Sequence, residues 1–128
     1  MWTPFAVETP RKRFTRTEFD RLCELEIFAG QRCELIDGEL FDKSGQSPQH
    51  AWSICRFQVW FVSMFSVSRL RIQAPVEAAG QDEEWSLPEP DLAILAGATA
   101  EYRRHPRGNE LLLAVEVSDS STAFDLSR

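Results

Sequence analysis

No apolar run in this chain approaches the roughly 18–20 residues that a membrane-spanning helix needs. The first residues, Met1-Trp2-Thr3-Pro4-Phe5, lack the basic-then-apolar layout of a secretory leader. Cysteine is scarce. Cys23, Cys33 and Cys55 are odd in number and show no paired metal spacing, so they read as reduced, buried cysteines of a cytoplasmic protein. Positive charge is short as well. A net charge of −6 argues against broad nucleic-acid binding driven by phosphate neutralisation, although it does not exclude an enzyme that acts on nucleic acid. No lysine follows Lys43. There is no glycine-rich phosphate loop, no Ser-His-Asp layout and no internal repeat.

What is present suffices for one domain. The chain has 128 residues, of which 43% are hydrophobic and 27% charged, enough for a core and ordinary for a globular fold. Residues 1–13 carry two prolines and the basic cluster Arg11-Lys12-Arg13, which reads as an arm ahead of a domain over 14–128. Thr15 and Glu18 form a T-x-x-E capping box, and the stripe Phe19, Leu22, Cys23, Leu25 predicts a helix over about 16–28 that stops at Gly30. Asp37-Gly38 lies between Cys33–Ile36 and Glu39–Phe41. That pair favours a type I′ turn and predicts a hairpin. Ser47-Pro48 opens an aromatic-rich segment read as a mostly buried helix over about 48–67. Leu70–Val76 alternates like an edge strand, because Pro75 cannot donate to a ladder. Leu92–Leu95 and Leu111–Val117 read as apolar strands. A short helix is expected near 98–104, and Thr122–Arg128 looks like the opening of another.

Two acidic residues stand out against this background. Asp91 opens the first apolar strand, and Glu116 sits within the second. A carboxylate on a strand fit for burial is costly unless it is paired, hydrogen-bonded or bound to a cation. Laid side by side, the two strands would bring the carboxylates to one spot, which is how a hard divalent cation is held. The plainer alternative makes Asp91 a turn aspartate and Glu116 a solvent-facing glutamate. His50, in the first turn of the long helix, reads as a cap or surface histidine, with contact to a scissile phosphate or site water as the sharper alternative. Arg71 and Arg103 are candidates for phosphate contact. His105 reads as a loop residue without a specific role.

Five short segments, in this order, carry a resemblance. They are Glu34-Leu35-Ile36-Asp37-Gly38-Glu39-Leu40, Ser47-Pro48-Gln49-His50, Gln73-Ala74-Pro75-Val76, Pro88-Glu89-Pro90-Asp91-Leu92-Ala93 and Val115-Glu116-Val117-Ser118-Asp119-Ser120-Ser121. From about residue 14 onward the chain resembles the Uma-two family of restriction-endonuclease-like proteins, in the PD-(D/E)XK nuclease superfamily. The resemblance implies an α/β fold, a mixed sheet flanked by helices, lacking the last helix and strand of the family fold. It also implies metal-assisted hydrolysis of phosphodiester bonds in DNA. Asp91 and Glu116 would hold Mg²⁺ or Mn²⁺ with the Val117 carbonyl as third ligand, and Glu34, otherwise an ordinary hairpin residue, would by its match to the family be a third acidic contributor. The lysine position of the short motif is Ser118 here. The family's displaced lysine would follow the aspartate matching Asp125, at about 129 or 130. Homodimers are the family's habit.

Three readings stay open on this basis. The chain is a metal-dependent endonuclease-like domain, a non-catalytic relic that still folds and associates, or an acidic binding module whose carboxylates are structural.

Overall fold

The computed structural model describes residues 9–117. They form an α/β arrangement of two helices and two small sheets. Helix α1 spans Arg16–Glu24. Its start is fixed by the expected capping box: Thr15 Oγ1 accepts from the Glu18 N–H at 3.1 Å, and the Glu18 carboxylate accepts from the Thr15 N–H at 2.9 Å. The helix stops four residues earlier than the apolar stripe suggests. Glu26 adopts φ 59°, its N–H reaches the Cys23 carbonyl at 3.0 Å, and the Ile27 N–H reaches Leu22 at 3.2 Å. This is a Schellman stop with glutamate in the position usually given to glycine. Gly30, at φ 81°, belongs to the turn that follows.

Strands β1 (Cys33–Ile36) and β2 (Glu39–Asp42) form the expected hairpin. Asp37 and Gly38 have φ 48° and 82°, both positive as a type I′ turn requires. The tip is held from several sides. The Gly38 N–H donates to the Trp85 carbonyl at 2.8 Å, the Asp37 N–H to Ser86 Oγ at 2.9 Å, and the Phe14 N–H to the Gly38 carbonyl at 2.9 Å. The Arg13 guanidinium lies 4.0 Å from the centre of the Trp85 ring and pairs with Asp37. A β-carbon added at Gly38 would come within 2.7 Å of the Arg13 Cβ. Leu35 exchanges two backbone hydrogen bonds with Leu87, at 3.2 and 2.7 Å, so the stretch leading to Asp91 runs along β1. Leu35, Leu87 and Phe19 form one core cluster.

The second sheet has the order β3 (Leu70–Ile72), β4 (Leu92–Leu95), β5 (Leu111–Val115), with antiparallel pairings. Among the described residues the mixed character is confined to one isolated parallel bridge, Glu77 to Arg107. All four residues of β4 are buried, as a central strand covered on both faces must be. β3 is shorter than the alternation suggested, because Gln73 turns to φ 47°. A single helical turn, Thr99–Glu101, stands where a short helix was expected.

Helix α2 (Pro48–Met64) starts as expected, with Ser47 Oγ accepting from the His50 N–H at 3.0 Å. The expectation of a mostly buried helix needs correction. Ile54 and Phe61 are buried, and with Phe57 and Phe65 they pack on Leu70, Leu92 and Ile94. Trp52, Val59, Trp60, Val62 and Met64 are exposed. The sheet is only three strands wide, so it covers one side of the helix. The cysteines are free as expected, but Cys23 and Cys55 are exposed and Cys33 is half-buried, so the expected burial does not hold. Among the described residues, no helix is long and apolar enough to cross a membrane. The expected helix opening at Thr122–Arg128, Ser118, Asp119 and Asp125, and the question of a missing last helix and strand lie outside the described residues.

Burial alternates along β1: Leu35 is fully buried, whereas Ile36 is 37% exposed. Leu35→Ala is expected to cost about 2–5 kcal/mol, since it removes a leucine that several elements share. Ile36→Ala is expected to stay within about 1 kcal/mol. Urea denaturation of both variants measures the difference, and equal losses would contradict the assigned register.

Candidate active site

Asp91 stands immediately before β4, and Glu116 immediately after β5. The antiparallel register pairs Leu92 with Val115, so one step further the two carboxylates face each other across the strand ends. Asp91 is 1% exposed. Its backbone carbonyl accepts from the Gln73 N–H at 3.0 Å, and its Oδ2 accepts from the Val117 N–H at 2.8 Å. Neighbours on both sides therefore fix its position. Its other oxygen, Oδ1, is buried without a hydrogen-bond partner among the described residues. Such an atom calls for a water or an ion, because a lone buried carboxylate oxygen is expensive.

Three further sequence candidates converge on the same place. His50 Nε2 lies 3.5 Å from Asp91 Oδ1, delivered by the first turn of α2. Glu34, on β1, accepts the Glu89 N–H at 3.0 Å through Oε1. Val117 contributes its backbone N–H to Asp91. Two weaker candidates do not join them through any described contact. Arg71 is committed to the Pro75 carbonyl and to His105 Nδ1, each at 3.0 Å. His105, read as without a role, is thus part of that contact. Its pKa is pushed down, first by burial and then by the Arg71 charge. No described contact brings Arg103 to the cluster.

Sequence reasoning missed the residue at the centre, Lys43. Its ammonium donates to Glu116 Oε2 at 3.0 Å and to the Glu89 carbonyl at 2.6 Å. It stands 3.8 Å from Asp91 Oδ1 and 3.9 Å from Glu34 Oε2. The side chain is only 14% exposed. Its backbone is clamped: the Lys43 N–H donates to the Arg32 carbonyl at 2.6 Å, and Arg32 Nη1 donates back to the Lys43 carbonyl at 3.2 Å. Arg32 in turn binds the buried Glu89 carboxylate at 2.9 Å. The signal was available. A two-residue turn at Asp37-Gly38 pairs Glu34 with Phe41 and hence Arg32 with position 43, on the same face as Glu34.

Glu116 is the most open member, with its side chain 56% exposed. Even so, its pKa lies above the ordinary value. Desolvation is the largest cause, opposed by the hydrogen bond from Lys43 and helped by the charges of Asp91 and Glu34. The half-exposed position lets solvent screen much of this effect. Three carboxylates, Glu34, Asp91 and Glu116, surround one ammonium, so the cluster keeps two negative charges. Among the described residues, no three His, Cys, Asp or Glu side chains are arranged as a ready-made metal cage. The donor set still suits a hard cation that retains several waters, through the free Asp91 Oδ1 and the open Glu116 carboxylate. A cleft of about 500 Å³ borders the cluster through Arg32 and Glu89, but none of Asp91, Glu116, Glu34 or His50 lines it.

The sequence decides the wider relationship. Residues 16–128 match Uma2, the family described as "Putative restriction endonuclease". The chain belongs to the Uma2 family. That match covers far more than half of the chain and spans the five segments noted above. Uma2 membership puts the protein among restriction-endonuclease-like, nuclease-type folds, a group that typically uses divalent metals. No curated protein matches the chain.

A carboxyl whose pKa is raised by folding penalises its ionised form. The penalty is absent well below the ordinary 4.5 and complete above the raised folded value. Glu116→Gln is therefore expected to raise the urea midpoint at neutral pH and to leave it unchanged at about pH 3. A lower midpoint at neutral pH would mean that the Lys43 ion pair outweighs the desolvation.

Proposed function

We propose that this Uma2 protein is a metal-dependent endonuclease-like domain that hydrolyses phosphodiester bonds in DNA. The observation that carries the reading is the buried Asp91, whose free Oδ1 faces Lys43 and His50 beside Glu116. Asp91 and Glu116 would be the ligands of Mg²⁺ or Mn²⁺, with the Val117 carbonyl as third donor. When bound, such an ion would polarise the phosphate and lower the pKa of a coordinated water. The chain's own residues do the rest. Asp91, fixed by Val117 and Gln73, would set the point at which a cation is held. Glu34 adds negative charge and is itself oriented by the Glu89 N–H. His50 Nε2 is within reach of a water beside Asp91 Oδ1 and would orient it toward the phosphorus.

The rest of the molecule fits this reading. Residues 14–128 would form the catalytic domain and 1–13 its arm. The exposed apolar side of α2 offers a surface for a homodimer. Free cysteines agree with a cytoplasmic setting.

A second reading has one observation in its favour. Glu116 is already hydrogen-bonded to Lys43, so the carboxylates could serve the fold alone in a non-catalytic relic. Titration with Mn²⁺ by calorimetry separates the two. The endonuclease reading expects wild-type binding that disappears in the Asp91→Ala, Glu116→Ala double variant, together with nicking of supercoiled plasmid that falls by at least about 10²-fold. Wild-type protein that binds Mn²⁺ but nicks no plasmid favours the relic, and wild-type protein that binds no Mn²⁺ makes the carboxylates structural, as in an acidic binding module.

A further inference from the structure

We infer that Lys43 is a catalytic residue of this site, its ammonium contacting the scissile phosphate or the attacking water from the hairpin side. The inference rests on the endonuclease reading and adds a residue that the order of sequence motifs gives no reason to choose.

Four observations point to it. Lys43 is the one lysine described in contact with the cluster, within 3.0–3.9 Å of Glu116, Asp91 and Glu34. Its side chain is largely buried, so its long stem is already ordered. It is held at both ends. Arg32 clamps its backbone, and the Glu89 carbonyl accepts from its ammonium at 2.6 Å. Finally, the charges leave room for it. With Lys43 in place the three carboxylates keep two negative charges, which matches one divalent cation. The ammonium and a metal ion can therefore occupy the site together, and Asp91 Oδ1 is the atom still free to receive the ion.

The chemistry needs such a group. In hydrolysis a bond forms between water oxygen and phosphorus while the bond from phosphorus to the leaving oxygen breaks. The proton shed by the water and the proton gained by the leaving oxygen are exchanged with solvent, and nothing is oxidised or reduced. Negative charge builds on the phosphoryl oxygens and on the leaving oxygen. An ammonium already fixed in place stabilises that charge without reorganising. Arginine would be a poor substitute, since its planar fork differs in shape and hydration from an ammonium.

The test compares wild type with Lys43→Met by Mn²⁺ calorimetry and by nicking of supercoiled plasmid in Mn²⁺. The inference expects Lys43→Met to bind Mn²⁺ at least as tightly as wild type, which also shows that the site is folded, while nicking drops about 10²–10³-fold. Nicking by Lys43→Met within about threefold of wild type overturns the inference and leaves the endonuclease reading intact. Mn²⁺ binding that appears only in Lys43→Met also overturns it, because the ammonium would then be standing in for the ion. A wild type that binds Mn²⁺ but nicks no plasmid leaves Lys43 no reaction to serve and overturns it while the metal site stands. If neither protein binds Mn²⁺ or nicks plasmid, the endonuclease reading fails and this inference fails with it.

Discussion

A carboxylate at the end of a fully buried strand is the constraint around which this molecule is built. β4 is covered on both faces, and its register brings Asp91 into the interior with it. The fold answers one oxygen of that carboxylate with the Val117 N–H and leaves the other without a hydrogen bond among the described residues. Everything nearby is consistent with compensating that one atom. α2 begins where His50 comes within 3.5 Å of it, and the hairpin ends where Lys43 comes within 3.8 Å. A chain of net charge −6 has gathered three carboxylates at one point and set a single lysine among them. Like charges at such spacing repel, and they persist in folds that use them or that bind a cation.

The two sheets divide the work. The three-stranded sheet supplies Asp91 and Glu116 from neighbouring strand ends, so their spacing is set by backbone hydrogen bonds rather than by flexible side chains. The hairpin supplies Glu34 and Lys43 from one of its faces. The segment between Leu87 and Asp91 joins the two, pairing with β1 through Leu87 and entering β4 through Asp91. Glu89 lies midway along that joint. Its N–H holds Glu34, its carbonyl holds Lys43, and its carboxylate holds Arg32.

Much of this was legible in the residues. The capping box of α1, the Asp37-Gly38 turn, the Ser47 cap and the two apolar strands all follow from local chemistry, and the structure has each of them. The convergence of Asp91 with Glu116 followed from two apolar runs joined by a short connection. The Glu26 stop escaped notice because glutamate rarely adopts a left-handed φ and nothing local announces it. The exposure of α2 was missed because aromatic content speaks of burial but not of how wide the covering sheet is. Lys43 was the least legible residue, because the family motif places its lysine after β5, although the Asp37-Gly38 turn fixes which face position 43 occupies.

The close approach at the hairpin tip has a wider meaning. Gly38 is bare of a side chain where Arg13 passes over it, and Arg13 stacks on Trp85. Backbone pairing from Cys33–Asp42 to Ile36–Glu39 ties the tip of the hairpin to its far end. The fulcrum is Leu35 against Leu87, and the load is the ammonium of Lys43. A slackened tip, roughly 16 Å from Lys43 by strand rise alone, would shift that ammonium relative to Asp91. Arg13, Gly38 and Trp85, which make no described contact with Glu34, Asp91 or Glu116, therefore bear on the alignment of the site from a distance.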